Sequence, residues 1–299
     1  MIGVKTTLIT LIPLSMYHKI MRRVTSHPQY ALEIVRGMIA RYRRLCPRCG
    51  VVGSTFEIHH TDKRGVRTYL CHECCRTFSE LYGTIFYRSK VPLDRWLLVI
   101  LHWVMSTGSI SAAEAGREVG ISHGAAWKML TKIRAELSHD VSTQLLEDIA
   151  EADESWFGRK ENQEIILGIV QRGRRKLRLY IVPNVQEETL YPHIRENVVE
   201  GSKLYTDGRI SYARTGVRYH HQSVNHSAHE YARGDVHTNT IEQIWGMIKG
   251  IIRTIHHGVT KKYRHLYLAQ FMFRYEHEKS TNFFYKILSV LFHPTYCYI

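Results

Sequence analysis

The chain has 299 residues, 44% hydrophobic and 23% charged, with 41 Lys and Arg against 27 Asp and Glu for a formal net charge of +14 at pH 7. That length allows two or three domains and a sizeable core. The positive excess fits a polyanionic partner, and because the basic residues run along the whole chain and not along one amphipathic helix, nucleic acid is favoured over a membrane surface.

The N-terminus, MIGVKTTLITLIPLSM, carries a short apolar run interrupted by Pro13 and followed by YHKIMRR. No small-residue cleavage site follows, and the run is too short to cross a bilayer. Residues 1–44 are therefore read as a basic helical extension of a cytosolic protein, with no membrane partner.

Five of the six cysteines fall between residues 46 and 75. Cys46-Pro-Arg-Cys49 and Cys71-His-Glu-Cys74 are two CxxC knuckles, and two such turns make a tetrahedral four-thiolate site for structural zinc. A disulfide pair or buried free thiols are the plainer readings, and nothing suggests the secretion that disulfides would need. FEIHH and VRTYLC, between the knuckles, read as the strands of a hairpin, so residues 45–82 are expected to form a zinc ribbon. Cys75 is a bystander or a substitute for Cys74. His59, His60 and His72 are weaker ligand candidates, and Cys297 carries no signal. Arg43, Arg44, Arg48, Lys63, Arg64, Arg67 and Arg76 surround the ribbon; singly each reads as solvated surface, together as a face for nucleic acid.

Residues 90–140 read as helices. PLDRWLLVILHWVM is apolar on most sides and should be buried. SAAEAGREVG opens on Ser111 and ends on Gly120, and Ser122 then caps HGAAWKMLTKIRAEL. There Ala126, Leu130, Ile133 and Leu137 form a buried stripe at helical spacing. His123, Trp127, Lys128, Thr131 and Lys132 fall on the outward side. Helix, short turn and basic second helix make a helix-turn-helix, whose second helix would enter the major groove of DNA.

From about residue 150 the pattern changes. ADESWFG, EIILGIVQR and LRLYIVP read as strands, RGRRK as a basic hairpin tip, ETLYPHIRENV as a helix, and KLYTD as a further strand. This order suits an α/β or α+β sheet. A helix near 238–253 has Ile241, Ile244, Trp245, Ile248 and Ile252 as its core stripe, with Glu242 beside it and Lys249 two turns on. Asp207 reads either as an ordinary Asp-Gly turn residue or as a carboxylate held for chemistry. Glu242 reads either as an ion-pair partner or as a ligand. Asp153, Asp207 and Glu242 together offer the hard oxygen donors that a pair of divalent metals needs for phosphoryl transfer.

Four blocks of sequence then carry a resemblance. They are D-E-S-W-F-G-R-K from Asp153, Y-T-D-G with Asp207, H-x-x-x-E-Y-x-x-G-D-V-H-T-N-T-I-E-x-x-W-x-x-x-K from His226, and F-M-F-R-Y at 271–275. C-x-x-C-x-x-x-F-S with G-T-I-F-Y-R-S-K-V-P-L-D-R-W adds a match at the ribbon-to-helix junction. Over roughly 45–279 the chain resembles the insertion-sequence DDE transposases, the group related to the Merlin elements. Their plan is a zinc-ribbon and helix-turn-helix head followed by an RNase H-like catalytic domain.

The resemblance implies a multidomain fold: a small zinc ribbon at 45–82, a helical helix-turn-helix domain at 90–140, an α/β RNase H-like (DDE) domain at 148–280, and a C-terminal tail at 281–299. It implies Asp153, Asp207 and Glu242 as ligands of Mg²⁺ or Mn²⁺, with Lys249 in the catalytic set. Asn239 is the alternative third ligand, since some relatives use asparagine there. Arg159 stands where the group usually has a second glycine. His226, His229 and Glu230 could touch DNA or the scissile phosphate, or be plain hydrogen-bonded residues. The partners implied are transposon terminal repeats, target DNA and a second copy of the chain. The location implied is the cytoplasm for a bacterial element and the nucleus for a eukaryotic one. Two other readings stay open: a transposase-derived DNA-binding regulator without catalysis, and an RNase H-like nuclease or resolvase that cuts but does not join.

Overall fold

A computed structural model describes residues 14–42, 45–51, 56–140, 143–207, 215–224 and 232–292. Arg43, Arg44, His226, His229, Glu230 and Cys297 lie outside the described residues. The chain divides into two compact units, one of residues 1–137 with 279–299 and the other of 138–278.

In the first unit, helices α1 (Leu14–Ser26) and α2 (Gln29–Tyr42) pack on α3 (Leu93–Met105). As its sequence demands, α3 is buried on nearly every side, from Trp96 through Val104 with only His102 partly exposed. Strands β1 (Phe56–Thr61), β2 (Arg67–Cys71) and β3 (Thr77–Ser79) form an antiparallel sheet in that order. Its core is thin: Cys46, Cys71 and Phe78, with Phe56, Tyr69 and Cys74 packed against them.

Helices α4 (Ala112–Val119) and α5 (His123–Leu137) pack on each other. The Ser111 hydroxyl accepts from the Glu114 N–H at 3.1 Å, and the Ser122 hydroxyl from the Ala125 N–H at 3.3 Å. Gly120 ends α4 in the left-handed region, with φ of 66°, where a side chain would be strained. The segment 281–299, set down from sequence as a tail, contains helix α9 (Phe283–Phe292), which packs on α2, α3 and α5. Its run FFYKILSVLF is apolar almost all round, which is the signature of a buried helix.

The second unit is a five-stranded sheet of β4 (Ile149–Phe157), β5 (Glu164–Gln171), β6 (Lys176–Val182), β7 (Lys203–Asp207) and β8 (His220–Val224). The strand order is β6-β5-β4-β7-β8. β4, β5 and β6 form an antiparallel meander, while β7 and β8 run parallel to β4. A three-strand meander whose first strand is extended sideways by two parallel strands is the RNase H-like sheet that the resemblance implied.

Helix α6 (Glu187–Asn197) covers one face through Leu190 and Ile194 against Ala150, Ala152, Leu167 and Ile169. Helices α7 (Asn239–Thr254) and α8 (Lys261–His277) cover the other, with Ile241, Ile244, Trp245, Ile248 and Leu268 against Phe157, Ile166, Val170 and Leu177. Each buried isoleucine or leucine contributes about 1.5–3 kcal/mol, enough to hold α7 flat on the sheet. The block Phe271–Tyr275 lies in α8 and works in packing. Arg274 is buried and its guanidinium is pulled down to about 10 by that burial, while the Met272 sulfur accepts the Leu179 N–H at 3.2 Å.

Candidate active site and cysteine cluster

β4 alternates. Ala150 and Ala152 face α6, which sends Glu151, Asp153 and Phe157 toward α7. Asp207 is the last residue of β7, the parallel neighbour of β4, where Ala152 pairs with Thr206. Two carboxylates from elements far apart in sequence thus meet where the end of β7 lies beside the middle of β4. Oxygens of Asp153, Glu154 and Asp207 all lie within 4.8 Å of one another, a spacing that suits oxygen ligands around one divalent cation. Glu154 is a member that sequence reasoning missed, because strand alternation gives no warning of it.

Glu242, expected beside the buried stripe of its helix, sits on the exposed side of α7, in the first turn, and outside the 4.8 Å group. It remains close enough for its charge to act on Asp153. The Thr238 hydroxyl donates to Glu242 Oε1 at 2.8 Å and fixes its direction. Asn239, the first residue of α7, is exposed, and its N–H lies 3.4 Å from His237 Nδ1. Lys249 is exposed two turns beyond Glu242, with its ammonium 5.3 Å from the centre of the Phe157 ring.

Asp153 is the perturbed group. Burial lifts its carboxyl to about 6; the Trp245 indole N–H, 2.9 Å from Oδ2, works against that rise, and the charges of Asp207 and Glu242 add to it. Trp245, read from sequence as a core residue only, therefore has a second task. Room for its indole comes from Gly168, which pairs with Asp153 across the sheet: a Cβ there would lie 2.6 Å from the ring.

In the first unit, the structure brings together the four predicted cysteines. All four sulfurs lie within 4.8 Å of one another, with Cys46 to Cys74 at 3.8 Å and Cys49 to Cys71 at 3.9 Å. A tetrahedral zinc with Zn–S of about 2.3 Å sets its sulfurs about 3.8 Å apart, so the donor set fits. The Cys71 thiol is held down at about 6, chiefly by the Cys74 backbone N–H. Cys75 is exposed at a left-handed φ of 50°, outside the cluster, as are His59, His60 and His72. On α5, His123, Lys128 and Lys132 are exposed and Trp127 and Thr131 half-buried, while the stripe Ala126, Leu130, Ile133 and Leu137 is buried.

Residues 145–276 match the family model of the ISXO2-like transposase domain. A transposase-like protein of Haemophilus influenzae is 34% identical over 35% of this chain and 84% of its own length. The chain belongs to the ISXO2-like transposase family. A protein of the transposable element ISH50 of Halobacterium salinarum is 26% identical, over 77% of this chain and 85% of its own length. The catalytic core domain of HTLV-2 integrase, solved with magnesium, aligns at a TM-score of 0.31 with 11% identity, over 44% of this chain and 88% of that one; the fold is read from the strand order and not from that alignment. The transposase domain so delimited contains Asp153, Glu154, Asp207 and Glu242, whereas the cysteine cluster and α5 precede it. Among the described residues of this family member, no helix is long and apolar enough to cross a membrane.

Proposed function

We propose that the protein is an active transposase that binds the ends of its element through the first unit and cuts and joins DNA strands through the second. The observation that carries this reading is the meeting of the Asp153 and Asp207 carboxylates from adjacent parallel strands, with Glu154 beside them and Glu242 across from them on α7. Asp153 and Asp207 would hold Mg²⁺ or Mn²⁺, with Glu242 as the third carboxylate and Asn239 as its alternative. The metal supplies a Lewis acid for the attacking and leaving oxygens. Trp245 keeps Asp153 turned inward, Thr238 keeps Glu242 turned, and Lys249 supplies positive charge to the DNA backbone.

Water attacks the phosphorus at the element end, the bond from phosphorus to the 3′-oxygen breaks, and that oxygen leaves as a hydroxyl. The new 3′-hydroxyl then attacks a target phosphorus, exchanging one phosphodiester for another without a covalent enzyme intermediate. Two ends must be joined, so the working form is a homo-oligomer on DNA. The test is incubation with the terminal repeats of its own element, Mg²⁺ and labelled target DNA. Joined product that disappears with chelator supports the reading. End binding without cutting supports the regulator, and cutting without joining supports the nuclease.

The raised carboxyl of Asp153 gives a pH signature. Its folded pKa lies above the ordinary aspartate value, so the metal-free native state takes up the proton more readily than the unfolded chain. The stabilisation this confers is fully present below the ordinary value and is lost as pH rises through about 6. A bound divalent cation offsets that loss only where Asp153 is ionised. Added Mg²⁺ should therefore raise the melting temperature of the wild type more at about pH 7.5 than at about pH 5. Equal shifts at both values, or the same shifts in Asp153→Asn, would remove Asp153 from the ligand set.

Lys128→Ala and Lys132→Ala should each weaken end binding by about 1 kcal/mol and make its salt dependence shallower, if each meets a phosphate or base edge. Fluorescence anisotropy on end DNA across a salt series checks this. Unchanged affinity in both variants would take α5 out of the groove.

A further inference from the structure

We propose that Glu151 and Arg172 form a buried clasp that sets the position of α7, and with it Glu242, relative to the strand that carries Asp153. This rests on the reading of Asp153, Asp207 and Glu242 as the metal-holding carboxylates. Glu151 lies two residues before Asp153 on the same face of β4 and is 0% exposed. A carboxylate buried this deeply survives only with a full set of donors, and it has them. Oε1 accepts from Arg172 Nε at 2.8 Å and from the Thr240 hydroxyl at 2.7 Å. Oε2 accepts from the backbone N–H groups of Thr240 at 2.8 Å and Ile241 at 3.1 Å.

Those two N–H groups belong to the first turn of α7, and they are the ones an N-cap side chain normally satisfies. The residue at the N-cap is Thr238, and its side chain makes no capping bond. Its hydroxyl is committed to Glu242 instead. The cap is supplied from the neighbouring strand, and the negative charge of Glu151 suits the positive end of the helix dipole.

Arg172 completes the clasp. It follows β5, its own N–H reaches the Ile149 carbonyl at 2.8 Å, and its guanidinium donates to the carbonyls of Asp235 at 2.7 Å and His237 at 2.9 Å. It also lies 3.0 Å from His237 Nδ1 and 5.0 Å from the centre of the Tyr205 ring, two residues before Asp207. The Arg172 guanidinium and the Asn239 N–H both point donors at Nδ1 of His237. One arginine thus ties β4, β7 and the segment entering α7.

The division of labour follows from the physics. The apolar stripe of α7 holds the helix to the sheet, but apolar contact is non-directional and tolerates sliding. Hydrogen bonds to two specified amides are directional and set the axial position. Glu242 lies in the same first turn as those amides. Loss of the clasp should spare the fold and loosen the site, which makes Glu151 and Arg172 positioning residues.

The test uses the full chain with Glu151→Gln and Arg172→Lys. It measures amide exchange in the first turn of α7, end-DNA affinity, and the joining rate at saturating DNA. In Glu151→Gln, exchange at Thr240 and Ile241 should rise about tenfold or more while β4, β5 and β6 stay protected. The joining rate should fall by about a hundredfold with end-DNA affinity within about twofold, as expected for a misplaced reacting group. Arg172→Lys should show the same split to a smaller degree, and it decides the matter by the same criteria if Glu151→Gln fails to fold. Unchanged first-turn exchange would overturn the clasp. Faster exchange with an undiminished joining rate would overturn its positioning role. A wild type that neither joins strands nor binds Mn²⁺ would instead overturn the reading of the carboxylates, and the positioning role with it.

Discussion

Single replacement of Asp153 or Asp207 by asparagine should lower strand cutting and joining by about 10²–10³-fold or more while leaving end binding intact. The expected loss is electrostatic in origin. Asp153 and Asp207 are like charges on adjacent strands, and burial and that repulsion already lift Asp153 to about 6. Such an arrangement costs stability in the absence of a cation and is relieved by one. An amide keeps the shape but removes the charge, so the fold should persist and the metal should not be held. On the proposed reading, end binding draws on α5 and the basic surface of the first unit, so it should not change.

Glu242→Ala tests the third ligand, with Asn239→Ala and Glu154→Gln beside it. If Glu242→Ala joins strands normally and one of the other two does not, the third assignment moves to that residue. If Asp207→Asn keeps full activity in Mg²⁺, Asp207 is the plain turn residue that its Asp-Gly sequence also allows, and the mechanism proposed above fails. Gel assays of single-end cutting and of joined product separate these outcomes.

Much of this site was legible because its residues sit on regular elements with strong patterns. Asp153 and Asp207 each end or punctuate an apolar strand, and the stripe of α7 is written in Ile241, Ile244, Trp245 and Ile248. The four cysteines carry their spacing with them. What was not legible depends on partners distant in sequence. Glu151 caps a helix whose amides lie 89 and 90 residues away and pairs with an arginine 21 residues on; within EADES it is one more acidic residue. Thr238 stands at the N-cap of α7 and spends its hydroxyl on Glu242. Gly168 carries no signal of its own within EIILGIVQ, and its purpose appears only when Trp245 is set against it. β8, HHQSV, was missed because it is polar and half-exposed at the sheet edge, where pairing and not burial defines the strand. Helix α9 carries a usable signal in its apolar run FFYKILSVLF, though no family block marks it.

Cys49→Ser should abolish zinc binding and unfold the ribbon while the second unit keeps its cooperative transition. The ribbon's fully buried core consists of Cys46, Cys71 and Phe78, and two of those three are themselves in the cysteine cluster. So small a core cannot offset the conformational entropy of ordering three short strands. Structural zinc supplies about 10–16 kcal/mol of apparent binding free energy near pH 7, and in small metal modules that energy is folding energy. A serine hydroxyl is a poor ligand for zinc and leaves three thiols too few to close the tetrahedron. One anchor of the ribbon that would remain is the pair from Arg36 on α2 to Glu80, at 2.9 Å, with Glu80 also accepting the Arg67 N–H at 2.7 Å. That anchor holds one end of the sheet and does nothing for the knuckles. The checks are metal stoichiometry by plasma emission and amide exchange across residues 56–79. Zinc absent from purified wild type, or a Cys49→Ser variant in which β1 and β2 remain protected, would show that the four sulfurs meet without a metal and that the sheet stands on its hydrogen bonds alone.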